Sequence, residues 1–61
     1  MTSLTTKELS FIEDQLKCEQ TMICKCKAFA EQTQDQALRS KFDEIANRHQ
    51  KHYDKLYSLL G

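Results

Sequence analysis

Apolar residues recur every three or four positions through the first half of the chain. They fall at Leu9, Ile12, Leu16, Ile23, Cys26 and Ala30. These steps keep apolar side chains on one face of an α-helix, which predicts a first helix over about residues 6–31. Thr5 and Glu8 have the spacing of a capping box, so the helix is expected to begin there. Position 19 belongs to the same stripe but holds a glutamate, Glu19.

The second half repeats the pattern after a polar interruption, EQTQDQ at 31–36. Its stripe consists of Leu38, Phe42, Ile45, His49, His52, Leu56 and Leu59. This predicts a turn at about 32–35 and a second helix over about 36–60. Thr33 and Asp35 can each cap that helix. Both histidines of the chain therefore lie inside an apolar stripe.

Further apolar residues widen both stripes beyond the seam of a two-stranded coiled coil. They are Phe11, Met22, Phe29, Ala46, Tyr53 and Leu60. The short turn makes the two helices antiparallel neighbours, yet one hairpin cannot cover faces of this width. A chain of 61 residues also buries little surface on its own. The fold class predicted is all-α, an antiparallel hairpin that forms a homodimer, or a higher homo-oligomer, as a four-helix bundle.

The polar residues within the two apolar stripes are predicted to lie close together. With the turn centred near residue 34, Cys26 lies opposite Phe42, and Glu19 lies opposite His49. His52 follows one helical turn after His49, so it is expected beside the same carboxylate. Both histidines are expected to face inward, with Tyr53 packing next to them.

Two interpretations of Glu19, His49 and His52 stay open. They can form a hydrogen-bonded polar layer that fixes the register of the helices, because a buried carboxylate needs a partner. They can instead bind a divalent metal such as zinc or iron, with two-fold symmetry gathering two such sets at the bundle centre. The set is rich in imidazole and poor in carboxylate, which favours zinc over an oxygen-activating di-iron centre.

Charge and composition exclude several classes of partner. Nine basic residues balance nine acidic ones, so neither nucleic acid nor an anionic membrane is an expected partner. The start of the chain, MTSLTTKELS, lacks the pattern of a signal peptide, and no apolar run reaches the length of a membrane span. We therefore expect an intracellular protein.

The three cysteines are expected to be free thiols. They are odd in number, and their helical spacing does not suit an intrachain disulfide or a shared ion. Cys26 is predicted to lie in the core and Cys18 and Cys24 at its edge or exposed, where they could crosslink neighbouring molecules. The sequence shows no phosphate-binding loop and no nucleophile motif, so it does not predict an enzyme.

Several stretches together resemble the spore coat F family, in particular its short single-hairpin members from clostridia. They are LTTKELSFIEDQL, the pair Glu19-Gln20, FAEQTQDQALRSKF and IANRHQKHYDKLYSLL, which cover nearly the whole chain. The resemblance implies a ferritin-like helical fold of which this chain is one half. It also implies a role in the spore coat or in sporulation, with other coat proteins as partners and no established catalysis. The chain differs from many short relatives in its three cysteines and in Asp35-Gln36, where they have Asp-Pro.

Three functions follow from these patterns. The first is a small structural or assembly protein that self-associates as a helical bundle. The second is a metal-binding ferritin-like protein with its site at Glu19, His49 and His52. The third is a helical adaptor whose exposed stripe binds a helix of another protein.

Overall fold

The protein is an all-α hairpin of two long helices. The computed structural model describes residues 3–61. Helix α1 spans Thr6–Gln32 and helix α2 spans Gln36–Ser58, and the two pack against each other along a rod about 46 Å long. The predicted all-α hairpin is confirmed. Neither helix in the described part of the chain is apolar over a length that would cross a membrane.

Side chains at both N-termini satisfy the free amides of the first helical turn. In α1, the Thr5 hydroxyl accepts from the Glu8 amide at 3.0 Å, and the Glu8 carboxylate accepts from the Thr5 amide at 2.9 Å. In α2, Asp35 Oδ1 accepts from the amides of Ala37 and Leu38 at 2.8 and 3.1 Å. Thr33 does not cap α2, because its hydroxyl accepts from the Asp35 amide before the helix begins.

Arg39 ties the second helix to the end of the first. Its Nε donates to the carbonyl of Ala30 at 3.1 Å, and its Nη2 donates to the carbonyl of Thr33 at 2.9 Å. The last carbonyls of a helix have no hydrogen-bond partner within that helix. The guanidinium of Arg39, which belongs to α2, donates to these carbonyls at the C-terminus of α1. Hydropathy alone would place Arg39 on the solvated face. Arg39 lies seven and fourteen residues before Ala46 and Tyr53, so the same two-turn repeat could have shown that it faces α1.

The hairpin has a thin core that lies between the helices. The buried side chains are Ile12, Ile23, Cys26, Ala30 and Ala46. Near the turn, the rings of Phe29 and Phe42 stack with centroids 5.5 Å apart. Packing between the helices thus fixes the register but covers only part of each stripe.

The second helix ends earlier than the pattern predicted. It stops at Ser58, and Leu59 and Leu60 form a turn. Their amides donate to the carbonyls of Leu56 and Tyr57, three residues back, at 3.1 and 3.0 Å. Such bonds tighten the last turn of a helix and use carbonyls that would otherwise lack a partner.

Replacing Thr5 with alanine is expected to lower the free energy of unfolding by about 1 kcal/mol, since the hydroxyl cap is lost. Urea unfolding followed by circular dichroism measures the change. Thr6→Ala is the matched control: Thr6 lies inside the helix and alanine favours helix, so it should cost nothing. Equal losses in the two variants would contradict the capping role.

The same cap makes the stability of the folded helix depend on pH. Hydrogen bonding by Thr5 lowers the pKa of the Glu8 carboxyl below its ordinary value. The larger effect comes from the Thr5 backbone amide and the smaller one from the Thr5 side chain. A lowered pKa means that the ionised carboxyl favours the folded helix. This contribution is therefore complete above the ordinary carboxyl pKa and is lost as the pH falls through the lowered one. Glu8→Gln should remove it.

Candidate functional site

A cluster of one carboxylate and two imidazoles lies at the middle of the rod, and we call it the Glu-His-His cluster. Glu19 is the central residue of α1. His49 and His52 lie on α2, one helical turn apart, close to the centre of that helix. The antiparallel packing of the two helices brings all three side chains together.

The carboxylate of Glu19 lies between the two imidazoles. Its Oε2 is 2.6 Å from Nδ1 of His49, which is a hydrogen bond across the hairpin. Its Oε1 is 3.8 Å from Nδ1 of His52, too far for a direct hydrogen bond. The two rings meet edge to face, with centroids 5.9 Å apart. Glu19 is thus hydrogen-bonded to His49 and lies near His52 without a hydrogen bond to it.

The three side chains differ in their contact with solvent. Glu19 and His49 are 15% and 24% exposed, whereas His52 is 56% exposed. Glu19 and His52 also line a groove on one side of the hairpin, together with Lys55, Leu56 and Leu59. His49 is not part of that lining. The cluster therefore has an inner half, the Glu19–His49 bond, and an outer half that opens into the groove.

The inner hydrogen bond sets the roles of the atoms of His49. A carboxylate oxygen accepts, so Nδ1 of His49 donates and Nε2 of a neutral ring keeps its lone pair. Histidine ligands of metals are commonly held in this way, with the second ring nitrogen donating to a carboxylate.

The donor set fits a divalent transition metal. One atom from each of Glu19, His49 and His52 can be chosen so that all three lie within 4.8 Å of one another. Zinc bonds of about 2.0–2.2 Å in a tetrahedron place ligand atoms roughly 3.4 Å apart, so the side chains need to close by at most about 1.4 Å. Among residues 3–61 no second group of three or more such side chains comes this close. The mixture of imidazole and carboxylate suits zinc better than magnesium or calcium.

The structure brings together the three residues that the stripes predicted, but it corrects the environment of His52. That residue was expected to face inward, and it lies on an exposed flank of the hairpin. The physical reason is the width of the stripe, because α1 covers the side of α2 that carries Ala46 and His49. Lys55 was not predicted as a neighbour of the site. It follows His52 by one helical turn, and that spacing was a usable signal.

The cysteines lie outside this cluster. Cys26 is buried, and Cys18 and Cys24 are exposed, with all three as free thiols. This confirms the predicted placement in the core for Cys26 and at the surface for the other two.

Comparisons with protein-family models, with curated proteins and with solved structures find no match to the chain. The resemblance to the spore coat F family therefore rests on the residues of the chain itself and stays a prediction.

Proposed function

We propose that the chain is a small structural or assembly protein that self-associates through one uncovered side of the hairpin. The observation that carries this proposal is an apolar face formed by both helices. We define the apolar face as Phe11, Met22, Phe29, Leu38 and Leu59, whose exposed fractions range from 40% to 63%. A monomer that leaves such a face in water forgoes the burial that stabilises most small domains.

The spacing of these residues places them on the same side of the rod. Phe11, Met22 and Phe29 are eleven and seven residues apart, which returns to nearly the same angle around α1. Leu38 lies on α2, and Leu59, three heptads later, directly follows the helix with helical backbone angles. At the open end of the hairpin Phe11 and Leu59 line one groove, and near the turn Phe29 stacks on Phe42 of α2. The apolar face therefore runs from one end of the rod to the other.

The exposed area agrees with a missing partner. The hairpin exposes 4997 Å², whereas a globular monomer of 7.2 kDa is expected to expose about 4,100 Å². The excess of roughly 900 Å² is close to the roughly 800 Å² that each partner contributes to a standard protein interface. A second copy packed on the apolar face would remove that excess and complete a four-helix bundle.

The resemblance to the spore coat F family supports the same proposal from a different direction. A single hairpin that dimerises would supply both halves of a ferritin-like bundle. The spore coat, or the cell that builds it, is then the proposed location, with other coat proteins as further partners.

Charging the apolar face is expected to weaken the dimer. Met22→Lys with Leu59→Lys should raise the dimer dissociation constant at least tenfold, because each side chain loses burial worth about 1 kcal/mol or more and lysines approach one another. Sedimentation equilibrium measures the mass across a concentration series.

A matched control lies on other flanks of the helices. Leu9 and Tyr57 are 39% and 60% exposed, and the helical angle of each is far from the apolar face. Leu9→Lys with Tyr57→Lys should therefore keep the dimer. A wild-type chain that stays a monomer at every concentration would refute the proposal and favour the adaptor function, in which a foreign helix occupies the apolar face.

A second candidate function is the binding of a divalent metal by the Glu-His-His cluster. The observation in its favour is the convergence of three suitable donors from two helices at the centre of the rod. Elemental analysis of the purified protein, and thermal stability before and after chelation, test it: no bound metal and no shift in the midpoint would remove this candidate.

A further inference from the structure

The outer half of the Glu-His-His cluster opens onto the surface that self-association would cover. Leu38, Ile45 and His52 are spaced by seven residues along α2, and Leu59 continues the same line just after the helix ends. His52 is the polar member of this line. The groove beside that line is lined by Glu19 and His52 as well as by Leu56 and Leu59. A second copy on the apolar face would therefore meet the carboxylate and the exposed imidazole directly.

Symmetry brings two such clusters to the same level of a dimer. Glu19 is the central residue of α1, so full overlap of two rods places both copies of it at mid-length. This holds when the two-fold axis runs along the bundle, and it also holds when the axis crosses the bundle at its middle. The two clusters then share one layer, whichever way the second hairpin points.

Charge determines how many divalent ions that layer holds best. One ion per chain would leave a net positive charge at each cluster, next to Lys55 in the groove and next to an identical site. One ion between two copies is neutralised by two Glu19 carboxylates, while imidazoles supply neutral donors. Two carboxylates and two imidazoles also complete the four-coordinate shell that zinc prefers.

We propose that Glu19 and His52 from each of two copies form a shared zinc-class site at the centre of the dimer, so that the ion strengthens self-association. His49 is a positioning residue: its bond to Oε2 of Glu19 at 2.6 Å leaves Oε1, the oxygen nearer to His52, for the ion. This inference rests on the proposed self-association. Because linkage is reciprocal, an ion that binds the dimer better than the monomer tightens the dimer by the same factor.

Zinc titration of the full chain tests the proposal in a Cys18→Ser, Cys24→Ser background, in which the exposed thiols cannot bind the ion. We expect one zinc per two chains by competition with a chromophoric chelator. Sedimentation equilibrium should give a dimer dissociation constant about tenfold lower with zinc than with chelator, within the usual range of coupling. Gln50→Leu, an exposed change on the opposite groove, should leave both results unchanged.

Two variants separate the roles of the histidines. His52→Leu should still dimerise, because it extends the apolar line, but should lose the response to zinc. His49→Gln should keep one zinc per two chains with affinity weakened about 10- to 100-fold, as for other residues that orient a ligand.

The outcomes distinguish this inference from the function on which it rests. A dimer that zinc leaves unchanged overturns the shared site alone. So does one zinc per chain that is lost equally in His49→Gln and His52→Leu, because the ion would then lie within one hairpin. A chain that is monomeric with and without zinc overturns the self-association as well.

Discussion

Replacing Ile23 with alanine is expected to remove about 2–5 kcal/mol from the free energy of unfolding, near the lower end because a thin core can partly collapse. Ile23 is 8% exposed and is one of only five buried apolar residues in the described part of the chain. A domain of 61 residues has a total stability of roughly 3–9 kcal/mol, so a loss near 2 kcal/mol removes between about a fifth and two-thirds of it. Urea unfolding followed by circular dichroism measures the loss.

Two controls locate the effect in the core. Ile23→Val removes a single methylene and should cost about 0.5–1.5 kcal/mol. Met22→Ala changes the neighbouring side chain, which is 40% exposed in the hairpin, and should cost less than Ile23→Ala at low protein concentration. At high concentration its cost should grow, since Met22 belongs to the apolar face. Equal costs at Met22 and Ile23 in dilute protein would contradict the observed division between core and apolar face.

The helices and their starts could be predicted because the signals are local. Thr5 with Glu8 caps α1, and Asp35 caps α2, each through side chains that reach amides two or three residues away. The meeting of Glu19 with His49 was also predictable, because a short turn between two periodic helices leaves little freedom in their register. These features depend on spacing along the chain alone.

The exposure of His52 could not be predicted in the same way. The stripe on α2 is wider than the contact that one neighbouring helix makes, so the pattern does not say which of its two edges that helix covers. In the hairpin the line through Ala46 and Tyr53 faces α1, and the line through Leu38 and His52 is left exposed. An apolar stripe identifies what can be buried, and the number of packed helices decides what is buried.

The position of Arg39 cannot be predicted from hydropathy alone. Hydropathy assigns every arginine to the surface, yet the guanidinium of Arg39 bonds the carbonyls of Ala30 and Thr33. The reason is geometric: the end of α1 leaves carbonyls without partners, and Arg39 lies on the first turn of α2 beside them. Unpaired carbonyls at a helix end can thus indicate that a nearby charged side chain bonds to them instead of to solvent.

Separate removal of Glu19 or His49 is expected to cost more than the removal of both. Glu19→Leu leaves Nδ1 of His49 without its acceptor, and His49→Leu leaves a carboxylate that is 15% exposed without its donor. Each single change should lower the free energy of unfolding by about 1–3 kcal/mol, because a largely buried polar group loses its partner. The double change to leucine replaces the pair by apolar side chains, so it should be close to neutral.

A double-mutant cycle in metal-free buffer measures the coupling. We expect its magnitude to be about 2–6 kcal/mol, the sum of the two single costs when the double change is close to neutral. The matched control is the exposed pair of Lys41 and Glu44, whose atoms are 3.6 Å apart with side chains 74% and 57% exposed. Alanine at both positions should show a coupling below about 0.5 kcal/mol, as for other ion pairs in water. A Glu19–His49 coupling as small as that of the control would mean that the inner hydrogen bond does not fix the hairpin. Glu19 and His49 would then be free to reorient toward an ion, so the same cycle repeated with zinc would show coupling that depends on the metal.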